Sequence, residues 1–283
     1  MENPLVTVYI TTKNRPQLLK RAVDSVLEQS YQRIELIVVD DGSTQETAEY
    51  LTQPNLCARV TTIRHTSSKG ACASRNAAIN AANGSCITGL DDDDYFARDR
   101  IQSFVDAWVG VADGYSALFS NFEVKTRGGV KRIELPIVVT SDTLKRQNAM
   151  GCQIFTNTLW LRDIGGFDED MPAWQDYETW FRLVERFGPA LNTGLFTYTV
   201  DTTHEHERIS SSLADRFATA HEKFMCKHRS SFDESQAEIF RLNLLAYPQV
   251  NFGIKELVSG FKKSLPVGRR YLERYLAKKF KSF

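Results

Sequence analysis

Four consecutive aspartates, Asp91 to Asp94, stand directly after the apolar run Cys86 to Leu90. Neighbouring like charges repel and cannot pair with one another. A divalent cation resolves the conflict, because Mg2+ and Mn2+ favour carboxylate oxygen and usually take one or two protein carboxylates, with phosphates and water supplying the rest. A solvated acidic turn is the plainer alternative. A second acidic loop, Asp40-Asp41-Gly42-Ser43, closes the run that starts at Ile34. Alone it reads as the Asp/Gly/Ser turn that caps a helix after any parallel strand. A buried carboxylate there can also accept a hydrogen bond from an imide N–H such as that of uracil. A third polar loop, Thr11-Thr12-Lys13-Asn14-Arg15, ends the first apolar run, and together the loops favour a metal-bound nucleotide.

The elements that must carry these loops are legible in the pattern. Short β-rich runs at Leu5 to Thr11, Ile34 to Asp40, Val60 to Arg64 and Cys86 to Leu90 alternate with helix-period segments at Gln17 to Gln29, Gln45 to Thr52 and Ala71 to Ala82. That alternation predicts a parallel, doubly wound sheet. In such sheets ligands collect outside the carboxyl ends of the strands, where the three polar loops fall. The helix beginning near Pro16 places Leu19, Ala22, Val23, Val26 and Leu27 on one face, as packing on a sheet requires. From about Ala117 the alternation fades, with turns at Gly128-Gly129 and Gly165-Gly166 and a loop through Pro136. Past Leu213 the pattern is helical.

Composition narrows the partners. Lys plus Arg and Asp plus Glu both number 35 in 283 residues, so a polyanion such as nucleic acid is not expected as the main partner. The five cysteines are odd in number, widely spaced and without a CxxC pair, which argues against a disulfide framework and a zinc site. The first apolar run begins within a few residues of Met1 and no stretch approaches the ~18 apolar residues of a membrane span, so a cytoplasmic protein is expected. Between Lys255 and Lys281 nine basic residues stand against Glu256 and Glu273, interleaved with aromatic and aliphatic residues. This tail suits an anionic membrane surface on the inner face of the cytoplasmic membrane; a helix packed on the domain and a homodimer contact are the alternatives.

The segments Val6 to Pro16, Ile37 to Thr44, Lys69 to Asn76 and Gly89 to Asp94 resemble, in order and spacing, the N-terminal motifs of the family 2 glycosyltransferases. The resemblance implies a GT-A fold: α/β, Rossmann-like, with a mostly parallel central sheet flanked by helices, here followed by a C-terminal helical extension. Residues 1–116 would be the nucleotide-sugar-binding half, 117–212 the acceptor-binding and catalytic-base half, and 213–283 the helical, basic tail. It further implies an inverting reaction with Mn2+ or Mg2+, a UDP-sugar donor, and a saccharide or lipid-linked saccharide acceptor of bacterial surface-polysaccharide synthesis.

Carried over residue by residue, the resemblance puts Thr11 and Asp41 beside the uracil, with Asn14 and Arg15 in the same nucleotide loop and Arg75 near the nucleotide. Asp93 would bind the metal, Asp92 would lie near the ribose or the metal shell, and Asp91 would contribute further. Lys13 departs from the family, which often has an aromatic residue there. In the segment Trp174 to Leu183, Asp176 occupies the base position, while Gln175 replaces a common glutamate. Glu178 is the rival base, about 200° away on a helix, and a helix N-terminal charge is the plain alternative for Asp176. Of the histidines in Thr203 to Ser210, His206 is the first candidate to complete the metal shell and His204 the second. Two other functions stay open at this level: a binding protein without turnover, and a nucleotidyltransferase, although Thr11 to Pro16 lacks the glycine-rich loop that a triphosphate needs.

Overall fold

The computed structural model describes residues 3–111, 113–204, 214–246, 258, 260–261 and 265–280. Ten strands form one sheet: β1 (Val6–Thr12), β2 (Ile34–Asp40), β3 (Val60–Arg64), β4 (Cys86–Asp91), β5 (Tyr95–Phe96), β6 (Ala117–Thr126), β7 (Gly129–Ile133), β8 (Val138–Val139), β9 (Phe155–Asn157) and β10 (Ala190–Asp201). The helices are α1 (Pro16–Leu27), α2 (Gln45–Leu51), α3 (Pro54–Cys57), α4 (Ala71–Ala81), α5 (Arg100–Val111), α6 (Ser141–Leu144), α7 (Thr158–Asp163), α8 (Gln175–Phe187), α9 (Ala214–His228), α10 (Glu234–Arg241) and α11 (Leu265–Phe280).

Strand order is β3-β2-β1-β4-β9-β6-β10-β5. β1 pairs in parallel with both β2 and β4, and β2 with β3, so the chain reverses its winding between β1 and β4. That reversal opens the crevice in which doubly wound sheets hold ligands. Register sets the neighbours there: Thr11 lies opposite Asp91, and Thr12 opposite Asp40. Beyond β4 the order turns antiparallel through β9, then parallel again between β6 and β10.

The alternation of β1 explains its two faces. Val6, Val8 and Ile10 point into a core with Leu19, Ala22, Val23 and Val26 of α1, all nearly or fully buried. Its opposite face and that of β2 receive α4. β1 to β4 and α1, α2 and α4 fall within two residues of their expected limits, while the single turn α3 was not expected. The stretch after Ala117, expected to be irregular, contains two long strands. Polar residues in β6 and β10 hide them: Ser120 and Thr197 are buried against Arg100, and Asn121 against Asn192.

The chain divides into two compact units. The first comprises Met1–Ser141, Ala149–Glu169 and Asp176–Glu205; the second comprises Asp142–Asn148, Asp170–Gln175 and His206–Phe283. Residues up to 116 thus share a sheet with most of the 117–212 segment, joined through β9, β6 and β10. The second unit is held by an aromatic cluster in which Phe240 meets Trp174, Phe224 and Phe232 with ring centroids 5.6, 4.6 and 5.3 Å away. Asp233 and Gln236 close a reciprocal cap at the start of α10. All five cysteines are free thiols. No helix among the described residues is long and apolar enough to cross a membrane.

Candidate active site

The four aspartates at the end of β4 and just beyond it are each met by partners, Arg15 being shared between Asp92 and Asp93. Asp91 accepts from Arg75 Nη2 at 3.2 Å and from Gln153 Nε2 at 3.0 Å. Asp92 accepts from Thr12 Oγ1 at 2.7 Å and Arg15 Nη1 at 3.1 Å. Asp93 faces the same Arg15 nitrogen at 3.3 Å and His204 Nε2 at 3.3 Å. Asp94 accepts from the Tyr198 hydroxyl at 2.8 Å and the Asp201 backbone N–H at 3.0 Å. The turn itself closes with Asp94 N–H donating to the Asp91 carbonyl. Repulsion along the run is therefore met by partners drawn from β1, α4, the loop before β9, β10 and its exit.

Their protonation follows their surroundings. Burial pushes the Asp92 carboxyl up to about 7, against the pull of Arg15 and the Thr12 hydroxyl. Burial and the charges of Asp91 and Asp93 push Asp94 up to about 8. Asp201, by contrast, is held down to about 2: burial alone would raise it, but Thr203 donates through both its N–H and its hydroxyl and Arg21 pairs with it at 2.5 Å. Arg21 also donates to the Asp93 carbonyl, so one guanidinium ties the aspartate loop to the turn that carries His204.

Asp41 is more heavily bonded than the sequence implies. Its two oxygens accept from Ser68 Oγ at 2.6 Å, Lys69 N at 2.8 Å and Gly70 N at 3.0 Å, and lie 2.9 Å from His65 Nδ1. Burial opposes ionisation, yet these bonds hold the carboxyl well below the usual range. The four acceptor positions of a carboxylate are all engaged. Gly42 permits the close packing behind it: its φ is +71°, and a Cβ there would meet the Ser67 and Ser68 backbone at 2.9 Å. Asn14, with φ of 56°, staples the first two loops together, its N–H donating to Ser43 Oγ at 2.9 Å and its amide oxygen accepting from Thr44 N at 2.7 Å. Thr11 is half-buried beside Asp91.

Asp176 lies in the first turn of α8, three-quarters buried, with Oδ1 3.4 Å from Arg75 Nη1. That oxygen has no hydrogen bond among the described residues. Burial raises the carboxyl to about 6; Arg75 restrains the rise and Asp91 adds to it. Arg75 is itself buried, with its guanidinium over the Phe167 ring at 5.1 Å. Glu178 is fully buried and bound by Arg182 at 2.7 Å, whose other N–H groups reach the carbonyls of Ile164 and Gly166. Its lone pairs serve that clasp. Trp180 and Phe181 are core residues, and Trp180 donates to the Gly151 carbonyl at 3.2 Å.

Sequence reasoning had no place for Gln153, Tyr198, Arg21 or Asp201. Asp201 had a signal: it is an acid at the end of a β-run, as Asp40 and Asp91 are. Gln153, Tyr198 and Arg21 have none that is local. His206 lies outside the described residues; His204 stands within reach of Asp93. A carboxylate and an imidazole side by side could hold a divalent cation through Asp93 and His204, the imidazole being better suited to Mn2+ than to Mg2+, which prefers oxygen. Asp91, Asp94 and Cys152 also offer atoms within 4.8 Å of one another. Burial, with Asp91, Asp94 and Asp176 nearby, keeps that thiol protonated and makes it a poor ligand for a hard cation. The strand ends thus gather an oxygen-rich cluster, and Asp176 beside it keeps one buried carboxylate oxygen without a hydrogen bond among the described residues.

Residues 7–164 match the family model described as Glycosyl transferase family 2. Over 241 residues, 82% of this chain and 84% of the other, the sequence is 35% identical to a glycosyl transferase of Escherichia coli K12 named for colanic acid biosynthesis, WcaA. It is 28% identical over 195 residues, 68% of this chain and 74% of the other, to the E. coli UDP-Glc:alpha-D-GlcNAc-diphosphoundecaprenol beta-1,3-glucosyltransferase WfaP. The crystal structure of S. aureus TarS 1–349 with UDP-GlcNAc superposes with a TM-score of 0.70 at 16% identity, over 95% of this chain and 79% of that one. At that identity the likeness bears on the fold, which is GT-A. A model that spans more than half of the sequence, joined to a relative matched across most of both chains, settles the family: the chain belongs to glycosyl transferase family 2 and is a glycosyltransferase.

Proposed function

We propose that the protein transfers a sugar from a UDP-sugar to a hydroxyl of a lipid-linked saccharide, with inversion and with a divalent metal, in the synthesis of a bacterial surface polysaccharide. The observation that carries this reading is Asp176: a carboxylate raised to about 6, with a buried oxygen lacking a hydrogen bond, linked through Arg75 to the aspartate loop at the strand ends. An inverting transfer needs one base on the acceptor side, and a base works best with a pKa near the working pH. The relatives support the substrate classes, since WfaP is named for UDP-Glc and a diphosphoundecaprenol acceptor, TarS was solved with UDP-GlcNAc, and WcaA is named for colanic acid biosynthesis.

In this reading Asp176 accepts the proton of the attacking hydroxyl, and Arg75 keeps its carboxylate turned toward the donor loops. Asp93 and His204 would hold Mn2+ or Mg2+, with Asp91 contributing; the metal supplies neutralisation of the departing diphosphate. Arg15, which already bridges Asp92 and Asp93, adds positive charge beside the same phosphates. Thr11, Asn14 and Asp92 shape the nucleoside pocket. Asp41 would recognise the base imide only by exchanging one of its present donors, and the Ser68 hydroxyl, which rotates freely, is the one to yield. The test is turnover on a short lipid-linked acceptor with a panel of UDP- and GDP-sugars, with and without Mn2+, and the anomeric configuration of the product read by NMR. Release of UDP with an inverted product is expected; exclusive use of a GDP-sugar, retention of configuration, or full activity in chelator would each sink the corresponding part.

A further inference from the structure

The last helix carries two unlike faces. Gly268 and Tyr271 are buried: the Tyr271 hydroxyl is bonded to Glu238 and Arg241 of α10, and a Cβ on Gly268 would overlap the Phe261 ring. At about 100° per residue, Leu265, Leu272 and Leu276 fall within a stripe roughly 40° wide, about a quarter-turn from the buried pair. These leucines are 57%, 37% and 41% exposed, and Val258 and Phe261 just ahead of the helix are exposed as well. Arg269 lies exposed on one margin of the stripe, with Glu273 further round. Three aligned leucines that each leave a third or more of their surface in solvent are not used up by the packing of the second unit, and an apolar stripe of this kind marks an interaction surface.

Charge selects what covers it. From Lys255 to Lys281 nine basic residues stand against two acidic ones, while the rest of the chain holds 26 basic against 33 acidic. A chain of zero formal charge thus concentrates a net +7 in one segment. A second copy meeting the first through this helix would oppose like charges. An anionic bilayer satisfies both features at once: leucines enter the headgroup and acyl boundary, and long cationic side chains lay their stems on it and place their charges among the phosphates.

We propose that α11 and the residues leading into it dock the protein on an anionic phospholipid surface, with the Leu265, Leu272 and Leu276 stripe facing the lipid. The docking is independent of the transfer chemistry, and its failure would leave the reading of the active site untouched. Flotation of the full chain with vesicles of phosphatidylglycerol and phosphatidylcholine, against phosphatidylcholine alone, tests it. Binding is expected to the anionic vesicles only and to weaken as salt rises. Leu272→Ser with Leu276→Ser should lower the partition coefficient about tenfold or more, and Arg269→Gln by about fivefold, with circular dichroism and melting temperature unchanged. Should the double variant melt early, Leu265→Ser in the first turn of the helix takes its place. Equal binding to neutral vesicles, absence of binding, or undiminished binding by the leucine variants overturns the proposal. So does a lipid-free dimer in sedimentation that the leucine variants dissolve, which would give the stripe to a second copy.

Discussion

The carboxylate of Asp176 and that of Glu178, two residues apart on α8, have opposite surroundings. Asp176 faces Arg75 at 3.4 Å and retains a lone-pair direction without a hydrogen bond among the described residues; Glu178 is consumed by Arg182. Asp176→Asn keeps the shape but accepts no proton, so kcat should fall ~100-fold or more while UDP affinity by calorimetry is retained. Glu178→Gln should instead lower stability, by about 1–3 kcal/mol in denaturant unfolding, because a fully buried side chain loses its charge-assisted bonds to the partly exposed Arg182 guanidinium. The pH profile follows from the raised carboxyl of Asp176. A base must be deprotonated; with its pKa at about 6 it is protonated below that value, so kcat/KM should drop about tenfold per pH unit on the acid side of about 6. The acid limb should be missing from the residual activity of Asp176→Asn. A plateau extending down to pH 4 would assign the base elsewhere.

At the scale of elements, the site is made of strand ends and the turns that follow them. β1, β2 and β4 deliver Thr12, Asp41 and Asp91 to one edge because parallel strands point their carboxyl ends the same way. What holds these turns is a set of side-chain bonds between loops. Arg21 of α1 binds both the Asp93 carbonyl and Asp201. Arg21→Ala should therefore raise the Mn2+ concentration needed for half-maximal activity by about tenfold, with kcat at saturating metal changed less. A metal titration of the initial rate checks it, and Arg21→Lys should recover part of the effect. Gly42→Ala forces a Cβ against the Ser67 and Ser68 backbone at a positive φ. A loss of about 1–3 kcal/mol in unfolding free energy is expected, with the Asp41 wall disturbed.

Over the whole molecule, acidic charge gathers at the strand-end crevice and basic charge in the C-terminal segment. Asp92 and Asp94 are buried carboxyls raised to about 7 and 8, so keeping them ionised costs the protein free energy that a bound cation offsets. Mn2+ and UDP added together should therefore stabilise the fold. At about a hundred times the dissociation constant the linkage is about 2.7 kcal/mol, or roughly 5–10 °C in melting temperature. Asp93→Asn should melt normally without ligand and lose most of that shift. A variant that responds as the wild type does would remove Asp93 from the metal site.

The local parts of this protein were legible in its sequence. Period-two apolar runs and helical periodicity are short-range properties, so β1 to β4 and α1, α2 and α4 could be drawn to within two residues, and the acidic turns at their ends followed from the same pattern. The family resemblance came from those turns as well. What the sequence could not reveal are pairings between distant segments. Arg75 stands between Asp91 and Asp176, 16 and 101 positions away in the chain, and Tyr198 meets Asp94 across 104 positions. β6 and β10 looked irregular because their buried side chains are polar, and such residues are stable in a core only when a partner from elsewhere satisfies them. Asp176 and Glu178 looked alike for the same reason: both carry the same charge on the same helix, and only the tertiary structure brings Arg182, itself held by two backbone carbonyls, to one of them and sets the other beside Arg75 with an oxygen free of hydrogen bonds among the described residues.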